Sequence, residues 1–173
     1  CDRSMTQTPA ATRQVTLDEI RAAAERIKPV ARVTPLIDVS GPAGRPFFLK
    51  AESLQPAGAF KIRGAYNMVA QLTPAERAAG VITYSSGNHG QAMALAARTL
   101  GAPAVVVMPT TAPKVKIDGA RAFGAEVIFA GTTSSERRAR AEAEAAERGL
   151  TMVPPFDHQW IVAGQGTAGL EIL

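Results

Sequence analysis

The sequence predicts an α/β fold with a doubly wound parallel sheet. In the second half of the chain, short apolar segments are each followed by a segment of helical periodicity; these strand candidates are "GVITYSS", "APAVVVMP" and "AEVIFAG". Such alternation is typical of βαβ units, whose strands run parallel. The three helices that follow end at Gly101, Gly124 and Gly149, as left-handed C-terminal caps do. Aromatic residues make up only 5% of the chain, so aliphatic side chains must fill the interior, which suits helices packed on a parallel sheet.

The elements outside this alternation are less regular. Thr16 and Glu19 form a predicted capping box at the start of a helix that Pro29 ends. Residues 32–46 read as a turn-rich connector, "FFLKAE" as a short strand, and a Pro/Gly loop then leads into a helix that begins near Lys61. Near the end of the chain, "TMVPPF" is a further strand candidate, and "WIVAGQGTAGLEIL" reads as a strand entering a helix.

The composition argues against several classes of function. The net charge is +4, and the densest basic run, "ERRARAEAEAAER", alternates with glutamate as a solvated helix face does, so no nucleic-acid partner is predicted. The only cysteine is Cys1, which predicts neither a disulfide nor a metal site. No segment approaches the roughly 18 apolar residues of a membrane span. Residues 1–15 lack an apolar signal core and read as a flexible leader, so a cytoplasmic protein is expected.

The loop after the first strand of the alternation, "SSGNHGQ", is the first candidate site. Parallel sheets bind ligands at the carboxyl ends of their strands, where this loop and "MPTTAP" after the next strand are expected. The loop leads into a helix N-terminus, where free backbone N–H groups and the helix dipole favour an anion such as a substrate carboxylate. The alternative is a cap turn whose small residues serve tight packing. Taken alone, His89 reads more readily as a structural histidine.

Lys61, in "GAFKIRGAY", is the second candidate. At a helix start the dipole disfavours a cation, which lowers the lysine pKa and frees the amine as a nucleophile toward carbonyl substrates or pyridoxal phosphate. The alternative is an exposed lysine in the first helical turn. A third pattern, "GQGTAG" at Gly164–Gly169, matches G-x-G-x-x-G but is a weak sign of dinucleotide binding, and close helix–strand packing explains it as well.

An ordered set of segments from about Val33 to Leu173 carries a family resemblance: "KAESLQPAGAFKIRGAYN", "SSGNHGQAMALAA", "VVVMPTTAPKVKIDGARAFGAEV" and "VAGQGTAGLEIL". This set resembles the serine/threonine dehydratases (threonine deaminases) and serine racemases, which are fold-type-II pyridoxal-phosphate enzymes with a fold like that of the tryptophan synthase β-subunit. Cysteine-forming enzymes and threonine synthases of that superfamily usually carry Asp after the lysine, where Ile62 stands here. Cysteine synthases also tend to have Thr in place of His89. The resemblance is therefore to the deaminating and racemising branch.

The resemblance implies roles for individual residues. Lys61 would form the Schiff base with pyridoxal phosphate, Phe60 would lie against the cofactor ring, and Asn88 would hydrogen-bond the 3-oxygen of the ring. Arg137 would lie near the substrate pocket, or be one of the exposed charges of its helix. Ser86 would also face the α-carbon opposite Lys61, as the second acid/base of racemising members. The substrate carboxylate would be held, largely by backbone groups, at Ser85, Ser86, Gly87, Asn88 and His89.

The resemblance also implies an activity and an architecture. The expected reaction is dehydration and deamination of L-threonine or L-serine to a 2-keto acid and ammonia; a serine racemase is the close alternative, and a non-catalytic α/β fragment unable to hold cofactor is the alternative of another class. Residues 16–80 would begin a large domain, 81–157 would form a nearly complete small domain, and 158–173 would return to the large domain. The family's phosphate-binding loop would follow Leu173, so the chain is expected to be the N-terminal half of a longer protein. That full-length protein would form a homodimer or homotetramer.

Overall fold

The computed structural model describes residues 14–41 and 44–173. The predicted leader lies outside the described residues except for Gln14 and Val15. The α-helices within the described residues are α1 (Leu17–Ile27), α2 (Lys61–Val69), α3 (Pro74–Ala79), α4 (Asn88–Thr99), α5 (Lys114–Ala122), α6 (Ser134–Arg148) and α7 (Gln159–Leu170). Two short 3-10 helices, Glu52–Leu54 and Pro56–Gly58, precede α2. Strands are β1 (Leu36–Asp38), β2 (Phe48–Lys50), β3 (Val81–Tyr84), β4 (Ala104–Met108), β5 (Glu126–Phe129) and β6 (Thr151–Met152).

Strands β3 to β6 form a four-stranded parallel sheet in the order β5-β4-β3-β6. Helices cover both of its faces, because alternate residues of a strand point to opposite sides. On β4, Val106 packs in the core shared with α4 and α5, whereas Val105 and Val107 pack in the core shared with α6. The predicted doubly wound α/β sheet is therefore confirmed.

The strand order creates a switch point between β3 and β6. The chain passes from β3 outward to β4 and β5, and then returns through α6 to β6 on the other side of β3. In open α/β sheets, ligands bind outside the carboxyl ends of the strands at such a point. The segments that leave the sheet there are residues 85–87 after β3 and residues 153–158 after β6.

Helix α2 is the central helix of the molecule and packs against α1, α4 and α7. Every residue of α2 after Lys61 is buried. Glycines let α2 and α7 approach closely: a Cβ added at Gly164 of α7 would lie 2.6 Å from the Cα of Gly64. This packing fixes the end of α2 at which Lys61 lies.

The cap signals in the sequence are confirmed. Thr16 and Glu19 form the predicted capping box at the start of α1. The three glycines predicted to close helices, Gly101, Gly124 and Gly149, all have positive φ angles, of 71°, 86° and 67°. None of the helices described is both long enough and apolar enough to cross a lipid bilayer.

Other sequence expectations are wrong. "WIVAGQGTAGLEIL" is not a strand entering a helix, because the chain from Gln159 to Leu170 is the single helix α7, with His158 as its N-cap. "GQGTAG" lies within that helix and at its end, so it has no strand-to-helix turn of the kind that binds dinucleotides. The connector 32–46 contains strand β1, which pairs antiparallel with β2. Only Thr151–Met152 of "TMVPPF" joins the sheet.

Candidate active site

Lys61, the first residue of α2, lies where the segment after β6 leaves the sheet. Its Nζ atom donates a hydrogen bond of 2.8 Å to the carbonyl oxygen of Pro155. The ring of Phe60 lies beside the amine, with Nζ 5.2 Å from the ring centroid. Burial lowers the pKa of Lys61 from its ordinary value of 10.5. The direction agrees with the sequence-based expectation, and the cause found in the structure is burial of the amine.

The loop after β3 lies at the other side of the switch point. Ser86 and Asn88 are exposed, whereas Ser85 and Gly87 are half-buried. The Gly87 N–H donates to Ser85 Oγ over 3.2 Å, which closes the turn. A Cβ added at Gly90, in the first turn of α4, would lie 2.8 Å from a β4 side chain. Small residues therefore serve tight packing here, while the two exposed polar side chains remain accessible to a ligand.

The N-termini of α2, α4 and α5 differ from those of the other described α-helices. Capping boxes formed by Thr16, Thr73 and Thr133 close the starts of α1, α3 and α6, and the His158 side chain caps α7. No side chain caps α2, α4 or α5, in the part of the chain that the structure describes. The backbone N–H groups of an uncapped first turn need another acceptor, such as water or a ligand anion.

His89 connects the start of α4 with the segment after β6. The side chain is buried, and its Nε2 atom lies 3.2 Å from the carbonyl oxygen of Val153. The pKa of His89 is lowered to about 4, mainly by burial. The hydrogen bond to Val153 raises the pKa by a smaller amount, and the charge of the nearby Lys61 lowers it further. Because a carbonyl only accepts, the neutral ring carries its proton on Nε2. The imidazole thus joins the start of α4 to the segment after β6, and its buried Nδ1 atom has no hydrogen-bond partner among the residues that the structure describes.

Asn88 is held by a residue that the sequence reasoning did not single out. Lys116 Nζ, in the first turn of α5, donates to Asn88 Oδ1 over 2.6 Å. Arg137, by contrast, lies on α6, which packs on the opposite face of the sheet from α4. It is buried, so the reading as an exposed charge is wrong, and its Nη1 donates to the carbonyl oxygen of Thr132. No contact described joins Arg137 to the loop after β3.

A buried ionic cluster supports α2 two residues after Lys61. We call it the Arg63 cluster; its members are Lys50, Glu52, Arg63 and Glu171. The guanidinium of Arg63 is fully buried and makes paired hydrogen bonds of 2.7 to 2.8 Å to Glu52 and to Glu171. Lys50 also pairs with Glu171 over 2.5 Å. The cluster ties α2 to β2, to the turn after it and to the end of α7.

Three groups at the site were missed by sequence reasoning. The carbonyls of Val153 and Pro155 carry no signal of their own, because every residue has such an oxygen and only the fold brings these two to His89 and Lys61. Lys116 had a weak signal, since it stands two residues into the helix that follows "MPTTAP". Its pairing with Asn88 depends on how α4 and α5 pack.

The groups present fit the aldehyde and ring of pyridoxal phosphate. The cofactor needs an amine that is partly unprotonated, and burial lowers the pKa of Lys61. It also needs open space, and a Cβ added at Gly58, before α2, or at Gly87, before α4, would meet no atom within 4 Å. A flat aromatic ring, Phe60, and an exposed amide, Asn88, lie on the two flanking segments.

Comparisons with known proteins identify the family of this chain. Residues 27–173 match the family described as pyridoxal-phosphate dependent enzyme. A serine racemase of Schizosaccharomyces pombe is 44% identical over 161 residues, which cover 91% of this chain and 50% of that protein. A biosynthetic L-threonine dehydratase of Pasteurella multocida is 44% identical over 151 residues, which cover 86% of this chain and 29% of that protein.

Solved structures show the same fold. The structure of maize serine racemase superposes with a TM-score of 0.88 at 36% identity, covering 92% of this chain and 49% of the racemase. The chain spans about half the length, or less, of these relatives. One conclusion follows from the match over residues 27–173, together with the Lys61 amine at the switch point and the uncapped helix starts. The chain belongs to the pyridoxal-phosphate dependent enzyme family.

Proposed function

We propose that this chain carries the lysine and the substrate loop of an ammonia-lyase that converts L-threonine or L-serine to a 2-keto acid and ammonia. The observation that carries the proposal is the Lys61 amine, which burial makes less basic and which Pro155 holds at the switch point of the sheet. The similarity to a threonine dehydratase supports this reaction. Residues 81–157 would form the small domain of the whole enzyme.

The residues act on the substrate from two sides. The uncapped start of α4, at Gly87 and Asn88, would bind the substrate carboxylate through backbone N–H groups, with Ser85 and Ser86 beside it. Pyridoxal phosphate, when bound, supplies an aldehyde for amines and a ring that withdraws electrons from the α-carbon. Lys61, as a free amine, would remove the α-proton. The hydroxyl then leaves as water, and hydrolysis of the resulting enamine consumes one water and releases ammonia.

Serine racemisation is the second candidate, and an exposed hydroxyl favours it. Ser86 is exposed on the loop after β3, whereas Lys61 comes from α2. If Ser86 returns a proton to the face opposite Lys61, the product is the enantiomer instead of the keto acid. Both reactions share removal of the α-proton, and the similarity to serine racemases supports the second.

The test begins with the site of cofactor attachment. The chain is incubated with pyridoxal phosphate, reduced with borohydride and mapped by peptide mass spectrometry. We expect the reduced adduct on Lys61 in the wild type and its loss in Lys61→Arg, with Lys114→Arg as a matched control, because Lys114 is an exposed lysine that also begins a helix. An adduct spread over surface lysines, unchanged in Lys61→Arg, contradicts the proposal.

The reaction is then identified from its products. L-threonine and L-serine are supplied to the loaded protein, keto acid is measured with a coupled dehydrogenase, and D-serine is measured by chiral separation. Keto acid that is absent from Lys61→Arg supports the ammonia-lyase. D-serine that is lost in Ser86→Ala, while keto acid persists, supports the racemase. If the adduct forms on Lys61 but neither product appears, the non-catalytic alternative is supported for this polypeptide.

A further inference from the structure

Lys116 makes an unusual contact for a lysine on a helix surface. Its neighbour Lys114 pairs with Asp118 one turn along the same helix, as exposed lysines commonly do. Lys116 instead reaches across to α4 and donates to Asn88 Oδ1 over 2.6 Å. No carboxylate lies within salt-bridge distance of Lys116 among the ion pairs described for residues 14–41 and 44–173. A cation in the first turn of a helix is also disfavoured by the helix dipole, so the position calls for another explanation.

The contact is held in place by the packing of α4 on α5. Gln91, on the first turn of α4, donates to the carbonyl oxygen of Val115 over 3.4 Å. A Cβ added at Gly119 of α5 would lie 1.9 Å from Gln91 Nε2, so a larger residue there would displace the end of the Gln91 side chain. The bond from Lys116 to Asn88 therefore joins two helices that pack on each other and share a second hydrogen bond.

The bond also decides the orientation of the Asn88 amide. An ammonium group is a donor only, so it selects the oxygen of the amide and excludes the nitrogen. The two N–H groups of Nδ2 then point away from Lys116. A charged donor on the oxygen polarises the amide, which makes those N–H groups stronger donors.

We infer that Lys116 is a positioning residue, which orients the Asn88 amide so that Nδ2 donates to the 3-oxygen of the cofactor ring. The inference rests on the proposed function, because it needs pyridoxal phosphate on Lys61. Lys116 itself would touch neither the cofactor nor the substrate. Its effect on cofactor binding would pass through Asn88 alone.

The experiment compares Lys116→Met with Lys116→Arg and with the matched control Lys114→Met. Affinity for pyridoxal phosphate is measured by titrating the visible absorption of the lysine-bound cofactor, and circular dichroism verifies the fold. Loss of one oriented hydrogen bond predicts about 3- to 10-fold weaker binding in Lys116→Met. Lys116→Arg, which retains a charged donor, should recover most of that loss, and Lys114→Met should bind like the wild type.

Two further measurements separate positioning from a general effect on the fold. In an Asn88→Ala background, Lys116→Met should have no additional effect on affinity, because the bond that it removes is already lost. A cofactor analogue that lacks the 3-oxygen should bind wild type and Lys116→Met equally. Equal affinity of wild type and Lys116→Met for the intact cofactor overturns the inference, and so does an equal loss with the analogue.

The outcomes also distinguish this inference from the proposed function. If the wild type forms no adduct on Lys61, both fail. If the adduct forms and Asn88→Ala weakens binding while Lys116→Met does not, only the role of Lys116 fails.

Discussion

Replacing Arg63 with Met tests whether the buried ionic cluster supports the helix that carries Lys61. Methionine retains a long side chain but removes the guanidinium that bonds Glu52 and Glu171, whose side chains are only 14% and 17% exposed. Removing one partner of a buried ion pair typically costs about 3 to 5 kcal/mol. Lys50 remains beside Glu171, so we expect the lower end, about 3 kcal/mol of the free energy of unfolding.

Urea denaturation followed by circular dichroism measures this cost. At an m-value of about 2 kcal/mol/M, the loss lowers the urea midpoint by about 1.5 M. Arg138→Met is the matched control, because Arg138 forms an exposed pair with Glu142 on α6. Such an exposed pair contributes little to stability, so the midpoint of Arg138→Met should stay close to that of the wild type. Equal midpoints for Arg63→Met and Arg138→Met would refute the reasoning.

The pH dependence gives a second readout for the same cluster. Burial alone would raise the pKa of Glu52, but hydrogen bonds from Arg63, Thr34 and Gln55 and the charge of Arg63 lower it from 4.5 to about 2. The unfolded chain therefore binds more protons between these values, so the stabilisation is complete above about pH 4.5 and is lost as the pH falls toward 2. The difference between wild type and Arg63→Met should accordingly be smaller at pH 3.5 than at pH 7.

Two other predictions concern packing and titration. Gly64→Ala should destabilise the protein by about 1 to 3 kcal/mol in urea denaturation, because the new Cβ would lie 2.6 Å from Gln165 Nε2 and 2.8 Å from a main-chain oxygen of α7. In the control Gly169→Ala the new Cβ would meet no atom within 4 Å, so this change should be neutral or stabilising. If Gly169→Ala destabilised the protein more than Gly64→Ala, this account of the packing would be contradicted. The pKa of His89 is lowered from 6.5 to about 4. Between these pH values the unfolded chain therefore binds a proton at His89 that the folded chain does not bind. Stability should fall over that range in the wild type and less in His89→Gln; identical losses between pH 7 and pH 5 would show that His89 is not the group responsible.

The local features of this protein could be predicted from its sequence. The strand–helix alternation, the capping box of α1 and the helix-closing glycines depend on residues close together in the chain, and all appear in the structure. Lys61 at a helix start and the loop from Ser85 to His89 at a strand end follow from the same short-range patterns. The assignments of these residues to cofactor and substrate remain proposals.

The segment that forms α7 shows where local reasoning fails. A short apolar run such as "WIVAG" is compatible with a strand or with a buried helix, and periodicity alone does not distinguish the two. Close contact between Gly64 and Gly164 allows this segment to pack on α2 as a helix. That contact joins residues a hundred positions apart, so no local sequence pattern predicts it.

The sequence by itself determined the βαβ architecture, the helix caps and the two segments with candidate chemistry, because each depends on residues within a few turns of one another. Only the tertiary structure decided that Lys61 bonds Pro155, that His89 is turned toward Val153, and that Lys116 holds Asn88. These partners come from elements brought together by the order of strands in the sheet and by helix packing. Burial, which lowers the pKa values of Lys61 and His89, is likewise a property of the assembled fold.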